Sequence, residues 1–355
     1  MSDKYNHPSI EGHSNNFTNE RHEWLDYLRG IAAILVVLLH VSAGYLYQYN
    51  RIEIYSWNVG NYIDAFTRVS VPIFFMISGF LFFQNKKPKA KHFIRIFLAL
   101  IFYSAISLIY MKLYKGQSIS LVSMSTLQQL IKGDIYYHLW FFYIIPIIYL
   151  LSYLVTIRVG EGHYVMVVFV VLFLIANTQT SVLIGFFDYN YRPRFTLDGN
   201  VTYYILFAIF GAILGNQRVF EYKQLFCFCI AIYLFSSLSI GYGTYVLTTN
   251  SGNLNLSLYS YSSPLVSIGS LSTFILVKEF YKKLDFFRRP LLFISKNSLA
   301  IYGIHALVLD AITASGYRDF KHPFMDISIT FILTLMISAF FAAFIKYVDK
   351  KGLVT

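Results

Sequence analysis

Trp24-Leu-Asp-Tyr-Leu-Arg29-Gly-Ile-Ala-Ala-Ile-Leu-Val-Val-Leu-Leu-His40 is an apolar run with an arginine near its start and a histidine at its end. Continued to Tyr47, the run is long enough to cross a bilayer as a helix. An ionisable group inside a membrane is costly, roughly 2.5–3.5 kcal/mol for a charge at the helix centre, so such a residue usually has a job. Arg29 and His40 are eleven positions apart, roughly 16 Å along a helix rising about 1.5 Å per residue. A cation at one membrane surface and an imidazole beyond the midplane point to chemistry that reaches across the membrane.

Similar runs recur from Leu28 to Val348. The 355 residues are 56% hydrophobic and 13% charged, against about 25% charged in a soluble domain. Such a chain cannot cover a water-facing surface. The expected fold class is all-α, a polytopic transmembrane helix bundle of about ten spans. They are placed near 28–47, 59–83, 93–112, 138–157, 163–180, 201–215, 225–247, 261–278, 291–312 and 327–348. Residues 1–23 are polar, lack the apolar core of a signal peptide and are expected to form a disordered cytoplasmic tail. Residues 24–350 form one membrane domain without a soluble module or internal repeat.

The net charge of +11 sits mostly in loops between apolar runs. There it orients the spans, and nucleic acid is not an expected partner. Most Lys and Arg fall on the N-terminal side of alternating spans, so both termini and the loops 84–92 and 279–290 are expected in the cytoplasm. Helix one then runs outward, with Arg29 at the cytoplasmic margin and His40 in the outer half. Cys227 and Cys229 lie two apart in one apolar run, do not share a helix face, and suggest neither a disulfide nor a metal site.

In this topology His305 also falls in the outer part of its span, and His138 opens the fourth. Three histidines can then converge on one outward-facing cavity, where a neutral imidazole can take a proton from a hydroxyl. The plainer alternative is a histidine satisfied by its own bundle, and for His138, beside Tyr136, Tyr137 and Trp140, membership of an interfacial aromatic belt. Asp64 and Arg68 have the i,i+4 spacing of a same-face ion pair. Asp26 and Asp310 are further candidate carboxylates. The loop Lys86-Lys-Pro-Lys-Ala-Lys91-His92, followed by Arg95, is suited to anionic lipid or a phosphorylated ligand as well as to orientation. Phosphate-loop, dinucleotide, nucleophile-elbow and zinc motifs are not found in the sequence.

Four stretches in order resemble the acyltransferase-3 family of integral-membrane acyltransferases. They are Leu25-Asp-Tyr-Leu-Arg29-Gly with ten residues between Arg29 and His40; Arg68-Val-Ser-Val-Pro72-Ile-Phe-Phe-Met-Ile-Ser78-Gly79-Phe; His138-Leu-Trp-Phe-Phe; and Ser295-Lys-Asn-Ser298-Leu-Ala-Ile-Tyr302-Gly-Ile-His305. The resemblance covers roughly residues 24–345. It implies a multi-pass protein of the bacterial plasma membrane that takes acyl-CoA, most often acetyl-CoA, from the cytoplasm and acylates a hydroxyl of a cell-surface glycan. In that picture His40 serves as base or acyl relay, with His305 and His138 as further catalytic candidates. Arg29 positions the donor, and Arg68, Arg95 and Ser78 are further donor-binding candidates. Ala306 stands where the family often has proline, and the stretch after Arg95 lacks a frequent second arginine and proline. A transporter or exporter of polysaccharide or lipid-linked sugar is the competing expectation. Ten spans and internal charges suit it equally, although no paired broken helices mark two corresponding halves.

Overall fold

The computed structural model describes residues 22–84, 86–118, 123–157, 170–171, 173–186, 199–216 and 223–355. Among them every regular element is helical: α1 (Glu23–Leu46), α2 (Ile54–Thr67), α3 (Ser70–Phe82), α4 (Ala90–Leu113), α5 (Met124–Lys132), α6 (Phe141–Leu154), α7 (Thr178–Gly185), α8 (Asn200–Asn216), α9 (Lys223–Ser251), α10 (Pro264–Phe280), α11 (Arg288–Ala314) and α12 (Pro323–Val348). Short 3-10 turns, Ser257–Tyr259 and Tyr281–Phe287, lead into α10 and α11.

Among the described residues, six helical stretches are long and apolar enough to cross a membrane. One, Ile54–Phe82, combines α2 and α3, and another, Ser257–Ala314, holds both α10 and α11. α6 and α8 are shorter apolar helices. The tail expected at 1–23 falls, apart from His22 and Glu23, outside the described residues, and so do residues 163–169 and 172 of the fifth span expected at 163–180.

α1 is the central post of the bundle, packing on α2, α3, α10, α11 and α12. Its first turn carries Glu23 and Asp26, carboxylates suited to the positive end of a helix. Gly30 lets α11 come close: a Cβ there would lie 2.6 Å from the Leu291 carbonyl oxygen. Centrality is what carries Arg29 and His40 into the interior.

The second span, expected at 59–83, falls within the single stretch Ile54–Phe82, but its helix is interrupted at Arg68–Val69. The cause is Pro72, which has no N–H to donate to the Arg68 carbonyl and whose ring crowds it. Beyond the break, α3 packs backbone to backbone on α8. A Cβ on Gly79 would collide with the Ala208 carbonyl, and one on Gly211 with that of Met76. Gly211 and Gly215 give α8 the small-xxx-small edge that membrane helices use for such approach.

Two other features differ from the hydropathy pattern. α6 starts at Phe141, so His138 sits in the turn before the helix rather than in its first turn. α5 is an unexpected helix, too short to span. Its Ser123 hydroxyl accepts from the Thr126 N–H at 3.1 Å, and Gly133 ends it at φ 81°, the left-handed closure that glycine allows.

At the end of the bundle beyond His40, Arg318 is clamped. Its guanidinium donates to Asp326 at 2.7 Å and to the Val41 carbonyl at 3.2 Å, and the Tyr45 hydroxyl donates to Asp326 at 2.8 Å. The clamp ties the α11–α12 loop to α1.

Candidate active site

A cavity of about 400 Å³ runs beside α1, walled by α3, α4, α6 and α11, a size typical of small-molecule sites. At one end it is lined by Asp26, Arg29, His92, Arg95, Ser295 and Lys296; at the other by His40, Trp140, Tyr261 and Tyr302. α3 lies antiparallel to α1 and contributes Val71, Phe74, Ile77, Ser78 and Leu81 between them. Its direction follows from Phe80, whose ring meets that of Trp24 at 5.0 Å. Cations thus gather at the Arg29 end, and an apolar, aromatic passage leads from them to His40.

Arg29 donates to Asp26 at 3.3 Å, and the Ser295 hydroxyl donates to the same Asp26 oxygen at 3.1 Å. Arg29 keeps part of its side chain open to the cavity. Arg95 donates to the Thr355 carbonyl, which brings the 349–355 turn to the cavity mouth. Ser78 donates its proton to the Phe74 carbonyl at 3.0 Å, so its lone pairs remain for a ligand donor.

At the far end the three histidines meet. His40 Nδ1 lies 2.9 Å from the Val36 carbonyl and 3.1 Å from His305 Nε2. His305 Nδ1 lies 2.8 Å from the Tyr302 carbonyl and 3.2 Å from that of Ile301. Carbonyl oxygens only accept, so both Nδ1 atoms carry the proton in the neutral rings. His305 Nε2 is then an acceptor, and the His40 Nδ1–H is shared between it and Val36. This assignment leaves His40 Nε2 unprotonated, with no hydrogen-bond partner among the described residues. His138 donates from Nε2 to the Gly303 carbonyl at 3.2 Å, its ring 5.3 Å from that of His305. Its Nδ1 is buried and unpartnered among the described residues.

Of the residues expected from sequence, His40, Arg29, Arg95 and Ser78 line this cavity. His305 touches His40 from behind and His138 touches His305, both fully buried. Arg68 does not join the lining. Its Nε donates to Asp64 at 2.6 Å, and its guanidinium lies 4.4 Å from the Tyr259 ring centre. Its guanidinium is held by the Asp64 pair, and Arg68 is not among the residues that line the cavity. Asp310 is also elsewhere, held by Tyr110, Tyr136 and Lys115. Lys87 spends its charge on the end of α6, donating to the Ser152 and Val155 carbonyls and to the Thr156 hydroxyl.

Sequence reading did not single out Tyr261; it carried Ser295 and Lys296 only within the family-like stretch 295–305 and His92 only within the basic loop. Lys296 and Ser295 were visible as two polar residues early in an apolar helix; Tyr261 carries no such signal. Among the described residues no group of three or more His, Cys, Asp or Glu can hold a metal ion. Both cysteines are free.

A family model described as an acyltransferase domain matches residues 22–348. No curated protein and no solved structure matches the chain.

Proposed function

Because the chain belongs to the acyltransferase-3 family and is therefore an acyltransferase with several membrane-crossing helices, we propose that it moves an acetyl group from cytoplasmic acetyl-CoA to a hydroxyl of a cell-surface glycan. One observation carries this reading: the unprotonated Nε2 of His40 stands at the end of a cavity whose other end gathers Arg29, Arg95 and Lys296. CoA carries phosphates and cannot enter hydrocarbon, so it needs a cationic mouth. Its slender thioester arm needs an apolar passage.

In the reaction, the phosphates rest against Arg29, Arg95 and Lys296, and the thioester lies along α3 toward His40. The acceptor hydroxyl gives its proton to His40 Nε2 as its oxygen attacks the thioester carbonyl. The tetrahedral intermediate then collapses, the carbon–sulfur bond breaks, and the proton passes from the imidazolium to the CoA thiolate. If the acyl group first rests on the ring, the same lone pair is the nucleophile. His305 stabilises the imidazolium by accepting from its Nδ1–H.

The proposed topology is ten spans with both termini in the cytoplasm of a bacterial plasma membrane. The charge asymmetry of the loops supports it, as does the position of the cationic mouth at the Arg29 end. Arg68–Gly79, Tyr137–Phe142 and Ile301–Leu307 look like the enterobacterial common antigen O-acetyltransferase, and that antigen is the first acceptor to examine.

The test is mass spectrometry of surface glycans from cells making the wild type, no protein, or His40→Ala at matched membrane levels. An ester mass found only with the wild type is the expected result. Unchanged glycan esters together with altered glycan export overturn the reading in favour of a transporter.

A further inference from the structure

Tyr137 stands beside His40, its ring centre 5.5 Å from that of His40. It is absent from the lining of the donor cavity. Tyr137 is 59% exposed, so an open aromatic face lies beside His40.

Beside Tyr137 is a polar hub. Tyr136, whose ring centre lies 5.3 Å from that of Tyr137, donates to Asp310 Oδ2 at 3.0 Å. Tyr110 donates to the same oxygen at 3.0 Å, and Lys115 reaches it at 2.6 Å. All three donors converge on Oδ2, so Oδ1 has no donor among the described residues. Lys115 balances the carboxylate, and the hub carries no net charge.

We propose that Tyr137 and Asp310 bind a neutral sugar ring of the acceptor beside His40. The flat apolar face of a pyranose covers the exposed Tyr137 ring, and one of its hydroxyls donates to Asp310 Oδ1. A second hydroxyl is thereby held beside His40. The uncharged hub selects a neutral, hydroxyl-rich ligand rather than a phosphate or a carboxylate. This site rests on the acyl-transfer reading and adds the surface that the acceptor occupies.

The experiment uses the full chain in lipid nanodiscs, acetyl-CoA as donor, and total glycan extracted from the surface of the expression host as acceptor. CoA release is read against glycan concentration. Tyr137→Ala is expected to raise the half-saturating glycan concentration about tenfold or more, with the KM for acetyl-CoA unchanged. Tyr137→Phe and Tyr137→Trp, which keep an aromatic face, stay within about threefold of the wild type on the same scale. Asp310→Asn weakens glycan saturation without altering the acetyl-CoA KM. An unchanged half-saturation in Tyr137→Ala overturns the proposal, as does a loss in Tyr137→Phe equal to that in Tyr137→Ala. Wild-type protein whose CoA release ignores glycan at every concentration overturns the acyl-transfer reading itself, and this site with it.

Discussion

His305 Nε2 lies 3.1 Å from His40 Nδ1, and His305 can accept there because its own Nδ1 is committed to the carbonyls of Ile301 and Tyr302. The Val36 carbonyl of α1 and His305 on α11 therefore favour the same tautomer of His40, with its proton on Nδ1 and its lone pair on Nε2.

Replacing His40 by alanine is expected to lower kcat by about 10²–10⁴-fold, the usual contribution of a general base. His305→Ala costs less, about 10- to 100-fold, because the Val36 carbonyl still holds the His40 proton. His305→Gln restores much of that loss, since its side-chain oxygen can accept from the same N–H. Single-turnover rates at saturating acetyl-CoA give the comparison. Equal rates for the Gln and Ala variants would count against an acceptor role for His305.

In the proposed reaction Arg29 acts on binding rather than on chemistry. A lost hydrogen bond from a charged group is worth about 1.5–3 kcal/mol, about 10- to 150-fold in affinity. Arg29→Ala should raise the KM for acetyl-CoA by that factor with a smaller change in kcat, and Arg29→Lys should recover part of it. Initial rates over a range of acetyl-CoA concentrations separate the two effects.

The turn at the cavity mouth should depend on pH. Burial raises the pKa of Asp349, but bonds from the N–H groups of Val354, Leu353 and Thr355 and from the Thr355 hydroxyl outweigh it, and the carboxyl lies below its ordinary range. A depressed carboxylate stabilises the folded turn fully above its unfolded pKa and loses that effect as pH falls through the folded one. Amide exchange at Leu353–Thr355 should stay slow at neutral pH and accelerate below the ordinary Asp value of about 3.9. Asp349→Asn should show the fast exchange already at neutral pH. Identical exchange in variant and wild type at neutral pH would remove Asp349 from this role.

Gly79→Ala and Gly211→Ala should each cost about 1–3 kcal/mol, the range for overpacking a tight contact. The added methyls meet the backbone carbonyls of Ala208 and Met76, which cannot rotate aside. Thermal unfolding in detergent, set beside Gly185→Ala, where a Cβ meets nothing within 4 Å, isolates the packing effect.

The spans were legible because long apolar runs have few other uses, and the Arg29–His40 spacing announced the axis of the site. The break at Arg68 was also present in the sequence, as Pro72 four residues later, but hydropathy averages over it. α5 escaped for the opposite reason: a nine-residue amphipathic helix has no sustained apolar run. Arg318 looked like an orienting loop charge and is instead buried against Asp326 and Tyr45, a partner 281 positions away from Asp326. His305 was legible as a second histidine in the outer part of a span, whereas Tyr261 reaches the site through tertiary packing alone, which no local pattern encodes.

The glycine-to-carbonyl contacts between α3 and α8 give the cavity one wall that cannot give way. Val71, Phe74, Ile77, Ser78 and Leu81 all stand on that wall. The opposite side, α4 with α6, is joined at the mouth by long polar side chains, Lys87 on the α6 end and Arg95 on the Thr355 carbonyl. Such bonds exchange with water or with a phosphate far more readily than interlocked backbones separate. The molecule is thus built like a door on a stone jamb: any widening of the cavity falls to the α4 side, while the α3 wall keeps its place.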